Sequence, residues 1–98
     1  MFVGMLSLDL LLGDVASLKQ KRSVVRPVVA DLQRRFAVAA AETGEQELYR
    51  RAEIGVAVVS GDPSHCRTVL EACERAVAER PELDVLSARL RVVDEEDL

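Results

Sequence analysis

Twice along its 98 residues the chain passes from an aliphatic, alternating run through turn residues and a helix-capping position into a stretch of helical periodicity. Phe2 to Leu12 alternates Gly4, Leu6, Leu8 and Leu10 against Val3, Met5, Ser7 and Asp9, the pattern of a strand with one buried and one half-polar face. Gly13 and Asp14 end it, and Ser17 stands where an N-cap belongs. Glu53 to Ser60 is apolar on both faces, as a central strand is, and Ser60, Gly61, Asp62 and Pro63 follow as turn, N-cap and first helical residue.

The first helix runs from about Leu18 to Phe36, with Leu18, Val25, Val28, Val29, Leu32 and Phe36 in one arc of the helical wheel. Lys19, Arg22 and Arg26 share another side. Lys21 points toward the apolar arc, its stem packed and its ammonium free to snorkel or to meet a carboxylate such as Asp9. Pro27 removes a donor inside the helix and crowds the carbonyl of Ser23, which predicts a kink or two short helices meeting there.

Ala37 to Thr43 reads as a weak strand, and Gly44 to Arg51 as a polar connection with a helical turn around Glu47 to Arg50. The second helix buries Cys66, Val69, Leu70, Cys73, Ala76 and Val77 and stops at about Arg80 before Pro81. Leu83 to Val93 is the last strand, with Leu86, Ala88, Leu90 and Val92 opposing Ser87, Arg89 and Arg91. The order is β-α-β-β-α-β. Right-handed crossovers then give a ferredoxin-like α+β sandwich over residues 1–93, a four-stranded antiparallel sheet with both helices on one face.

Composition limits the function classes. The chain has length for one core, and a 49% hydrophobic, 31% charged make-up with three aromatic residues implies a core of Val, Leu and Ala. The net charge of −4 resides in the tail, residues 94–98, where Asp94, Glu95, Glu96 and Asp97 stand together; without them 13 acids balance 13 Lys and Arg. That tail reads as a disordered solubilising end, or as a segment folding back over the basic stripe. Cys66 and Cys73, seven apart on a helix, are about 10 Å from each other, too far for a disulfide, and read as reduced core thiols. No signal peptide or membrane span is evident, so a cytoplasmic protein is expected.

No constellation names a reaction. His65, the single histidine, reads as a surface residue of the second helix. Two thiols in a buried stripe and one neighbouring histidine do not converge as metal ligands, so no metal, cofactor or small-molecule substrate is expected. Acylphosphatases share the topology but use a Gly-rich phosphate loop with an Arg, whereas Leu12 to Ala16 offers only Gly13.

The residues resemble a family. Gly4 in the first strand, the run Ser17, Leu18, Lys19, Gln20, Lys21, Arg22, the Arg35–Phe36 junction with Val38 and Glu42, and Arg51–Ala52 leading to Gly55, Val56 and Ala57 are similar to the small bacterial YlxP-like family (domain of unknown function 503). The resemblance spans about the whole chain, departing at Pro27 and at Tyr49, where a larger aromatic is common. It implies a ferredoxin-like fold and, because genes of the family tend to lie near translation and ribosome-maturation genes, an association with RNA or ribosomes. It assigns no catalytic residue.

Two binding classes stay open. Lys19, Lys21, Arg22 and Arg26 would contact successive phosphates of RNA, with Arg34, Arg35, Arg50 and Arg51 as extensions of the patch. Alternatively the open sheet face, carrying Met5, Ser7, Ala37, Ala39, Ala41, Gly55, Ala57, Ser87 and Arg89, would pair two copies of the chain, with Met5, Ala39, Gly55, Ala57 and Arg89 at the interface. That face has no aromatic on which bases would stack.

Overall fold

Alternation along the first strand decides the layers. The structure, a computed structural model, describes all residues Met1–Leu98, in the order β1 (Phe2–Leu12), α1 (Leu18–Phe36), β2 (Ala39–Gly44), β3 (Arg51–Ser60), α2 (Pro63–Ala78) and β4 (Leu83–Asp94). The strands form one antiparallel sheet in the order β2-β3-β1-β4, the expected ferredoxin-like arrangement. Leu6, Leu8, Leu10 and Leu12 of β1 point at the helices and join Ile54 and Val56 of β3 and Val25, Val28, Leu32, Leu70, Cys73 and Val77 of the helices in one core. Each fully covered Leu or Ile there contributes about 1.5–3 kcal/mol. At Gly4 the second helix lies close against the sheet: a Cβ would lie 2.8 Å from Leu70 Cδ1 and 3.0 Å from Cys66 Cβ. Both cysteines are free and buried.

The helix starts form as their residues dictate. Ser17 Oγ accepts from the Gln20 amide at 3.1 Å, and Gln20 Oε1 in turn accepts from the Ala16 amide at 2.7 Å, a variant of the reciprocal capping box. Asp62 accepts from the Ser64 amide at 2.9 Å, with Pro63 opening α2.

Five expectations need correction. Pro27 does not divide the first helix, which runs as one element through it. Both Pro27 and Ser23 are exposed, so the carbonyl that loses its partner faces water, while Val25, Val28 and Leu32 hold the opposite side in the core. Ala37 is not in a strand: it caps α1 in the left-handed conformation (φ 52°, ψ 46°), and β2 begins at Ala39. A chain leaving a helix to reverse onto a sheet needs such a residue, and here an alanine accepts the roughly 1 kcal/mol that glycine would avoid.

The connection after β2 is a tight turn at Gln46 and Glu47, with Glu45 at φ 60°, and no helical turn forms at Glu47 to Arg50. Leu86 is 49% exposed and not in the core, because the register shifts between Asp9 paired with Ser87 and Leu10 paired with Val85, leaving Leu86 as the extra residue of a bulge. The acidic tail is ordered: Glu95–Asp97 form a 3-10 turn capped by Asp94. It lies against the N-terminus, with Glu95 Oε1 3.0 Å from the Met1 ammonium and the Glu95 amide bonded to the Met1 carbonyl at 3.0 Å, so it does not cover the basic stripe.

Candidate nucleic-acid interface

Helical spacing of three and four residues puts Lys19, Arg22 and Arg26 in one stripe along the solvent side of α1. All three are exposed. With Ser23 and Pro27 they line a shallow groove on the helix surface, and Arg22 and Arg26 also border a depression between α1 and β2 floored by Val25 and Val29. None of the three takes part in any ion pair of the molecule. The first turn of α1 contains no acid, so Lys19 stands at the positive end of the helix dipole without a compensating charge, with Arg22 and Arg26 one and two turns further along.

Lys21 does not belong to this group. It is 2% exposed, and its ammonium lies 3.0 Å from Glu42 Oε2 and donates to the Glu45 carbonyl at 2.5 Å. The carboxylate oxygen is buried and sits out of line for a hydrogen bond, so the contact with Glu42 is charge against charge while the aligned bond goes to the backbone. The partner is thus Glu42 and not Asp9, which lies on the far face of the sheet. The interaction ties α1 to the end of β2 and to the turn that follows.

Three of the four proposed extensions of the patch are otherwise engaged. Arg34 and Arg35 bind the Asp31 carboxylate at 2.7 and 3.2 Å, joined by Arg80 at 3.4 Å. The hydrogen bond from Arg34, opposed by partial desolvation and supported by Arg35, holds the Asp31 carboxyl below its usual range. Arg50 donates to the carbonyls of Leu12 and Gly13 and so closes the end of β1. Arg51 is exposed at the start of β3.

On the opposite face the strand register arranges the side chains in rows. Val59, Val3 and Val93 form one; Ala39, Ala57, Met5 and Arg91 the next; Ala41, Gly55, Ser7 and Arg89 the third; and Glu53, Asp9 and Ser87 the fourth. The expected outward residues therefore do share this face, except Ala37, which is outside the sheet. Glu53 and Asp9 are bridged by Arg89 Nη2 at 3.5 and 4.0 Å. Thr43 donates its hydroxyl to Glu53 at 2.7 Å, and Ser87 donates to Asp9 at 2.5 Å. The sequence did not disclose this network, nor the meeting of Lys21 with Glu42, because both depend on which rungs of neighbouring strands are paired.

His65 is exposed in the first turn of α2. The thiol of Cys73 is pushed up by burial, the nearby Arg35 only partly opposing this, so it is a poor nucleophile. No helix is long and apolar enough to cross a membrane.

These features define a small α+β domain with a free cationic helix face on one side and an uncovered, aromatic-free sheet on the other. The chain belongs to the family described as "Protein of unknown function (DUF503)", whose model matches residues 3–90. It is 27% identical over 82 residues to "Uncharacterized protein YlxP" of Bacillus subtilis (strain 168), a match covering 84% of this chain and 89% of that relative.

Proposed function

We propose that the protein is a non-catalytic module that binds RNA, ribosomal RNA included, through phosphate contacts from Lys19, Arg22 and Arg26. The observation that carries this reading is the clustering on one face of α1 of three exposed cations without a carboxylate partner; the other exposed arginines without any polar partner, Arg51, Arg67, Arg75 and Arg91, are spread over β3, α2 and β4. Lys19 in the first turn opposes the helix dipole and does nothing for the fold, and an anion at that end relieves the unfavourable field. The setting of the family's genes beside translation genes points the same way. Lys21 is left out of the interface because its ammonium is enclosed.

The contact is to backbone and not to bases, since the three aromatic side chains, Phe2, Phe36 and Tyr49, are absent from both the stripe and the open face. Neutralising three phosphates gives a log–log salt slope of about −2 on single strands and about −3 on a duplex. Co-sedimentation with ribosomal subunits and titration of labelled RNA at low and moderate salt test the reading. Arg22→Glu is expected to reduce affinity at least tenfold and to flatten the salt dependence. Binding that ignores both salt and Arg22→Glu would remove the stripe from the interface.

A further inference from the structure

The open sheet face is lopsided in a way that fits a second copy of itself. On the β2–β3 half its central rows carry Ala39, Ala41, Gly55 and Ala57; on the β1–β4 half they carry Met5, Ser7, Arg89 and Arg91. The first half is a trough, closed at Gly55 by the Thr43 side chain, and the second a ridge of three long side chains, Met5, Arg89 and Arg91, with a concavity of its own of about 450 Å³ beside Ser7. The trough is real space: a shallow concavity of about 400 Å³ runs over Ala39, Ala41, Gly55 and Ala57, with Met5 on its border.

We infer that this face closes a homodimer in which two sheets pack face to face about a two-fold axis parallel to the strands. Such an axis lays β4 of one copy over β2 of the other and keeps each row on its own counterpart. Arg91 then covers Ala39 of the second copy, Met5 covers Ala57, and Arg89 covers Ala41, so ridge fills trough twice. A two-fold perpendicular to the strands sets β2 on β2 and β4 on β4, which opposes trough to trough and arginine to arginine.

The charges permit this. Arg89 is already neutralised by Glu53 and Asp9. Arg91, which has no acidic partner, is exposed on the edge strand β4, where its guanidinium stays at the solvated rim, and the middle of the patch, between β3 and β1, is apolar around Ala57 and Met5, the latter 36% exposed. Because aligned sheets cross at about 30°, the fourth row, with its two carboxylates, falls toward the solvated rim. Four strands about 4.8 Å apart and the stretch Val3 to Asp9 at about 3.4 Å per residue outline a patch roughly 19 by 24 Å. That is roughly 450 Å² per partner, about half of the roughly 800 Å² of a standard interface, which is the size of a weak, reversible dimer. Both α1 stripes point outward from such a dimer, so RNA binding and self-association are separable.

Sedimentation velocity from low micromolar to submillimolar protein should show a concentration-dependent dimer that survives moderate salt. Ala57→Arg and, independently, Met5→Lys should shift the dissociation constant at least tenfold while circular dichroism stays unchanged; two variants guard against a folding defect in either. The axis is read by cross-linking, since the native thiols are buried: with a short bismaleimide, an Ala39→Cys chain should couple to an Arg91→Cys chain in a mixture, and neither should couple to itself. A monomer at every concentration, a dimer indifferent to both face variants, or Ala39→Cys coupling to itself would overturn the inference.

Discussion

Lys21→Met is the perturbation that most directly tests how this domain is held together. Methionine preserves the length and apolar stem of a side chain that is 2% exposed, so little packing is lost, and the change is in charge. Glu42 keeps a buried oxygen with no counter-charge at 3.0 Å, and the Glu45 carbonyl loses its donor. Removing one member of a buried ion pair costs about 3–5 kcal/mol. Glu42 retains 25% exposure of its side chain and can turn partly to water, which lowers the expected loss to about 2–3 kcal/mol. For a domain of this size that is roughly 10–20 °C in Tm. Adding Glu42→Leu removes the stranded carboxylate and should restore most of the loss, because an apolar pair replaces a buried ionic one at little net cost. Urea titration followed by circular dichroism measures both, as midpoint shifts at constant slope. A single variant within about 0.5 kcal/mol of the parent, or a double variant no better than the single, would refute the assignment of Lys21 as an internal pin. The same protein separates structure from function: Lys21→Met at a temperature where it is folded should bind RNA like the parent, whereas Arg22→Glu should not.

Pro27→Ala should raise stability by at least about 1 kcal/mol, since alanine restores the hydrogen bond to Ser23 and proline is about 3 kcal/mol worse inside a helix, partly offset by the stiffer unfolded chain; a loss of stability would show that the helix depends on the break. Gly4→Ala should cost about 1–3 kcal/mol by wedging α2 off β1, with the neighbouring Cys66 Cβ at 3.0 Å unable to give way as a side-chain tip would; an unchanged urea midpoint would contradict the close approach. The Met1 ammonium is raised above 8.0 by its bond to Glu95. Its contribution is therefore complete below pH 8 and lost as pH rises through the folded value. Hydrogen exchange at the Glu95 amide should accelerate through that range beyond base catalysis, and Glu95→Gln should abolish the excess; equal pH profiles in the two proteins would rule the tie out.

Much of the fold was legible because its strongest signals are local. Alternation in β1 and β3, Ser17 and Asp62 as caps, and the Cys66, Leu70, Cys73, Val77 stripe need no knowledge of the rest of the chain. What failed depended on neighbours. Leu86 fits an alternating pattern until the pairing partner shows that one residue of β4 is extra. Ala37 carries no glycine signal for its left-handed turn, and the tail looks unstructured until the N-terminus is found beside it. Proline at position 27 forbids a bond but does not forbid a helix when the affected carbonyl faces water.

The run Ser17 to Arg22 shows why a shared motif is weak support for a shared ligand. A helix turns about 100° per residue, so adjacent residues of the run look in different directions. Ser17 and Gln20 are consumed by the cap, and Lys21 by Glu42 and the turn at Glu45. A fold with no partner at all would still need those three. Lys19 and Arg22 are different: no contact in the domain requires them to be cationic, and Arg26 one turn further along is equally unclaimed. With no internal use for these charges, an anionic partner is the use proposed for them, and Arg22→Glu or Lys19→Glu, at exposed positions, tests it, whereas substitutions at Ser17, Gln20 or Lys21 would act through stability.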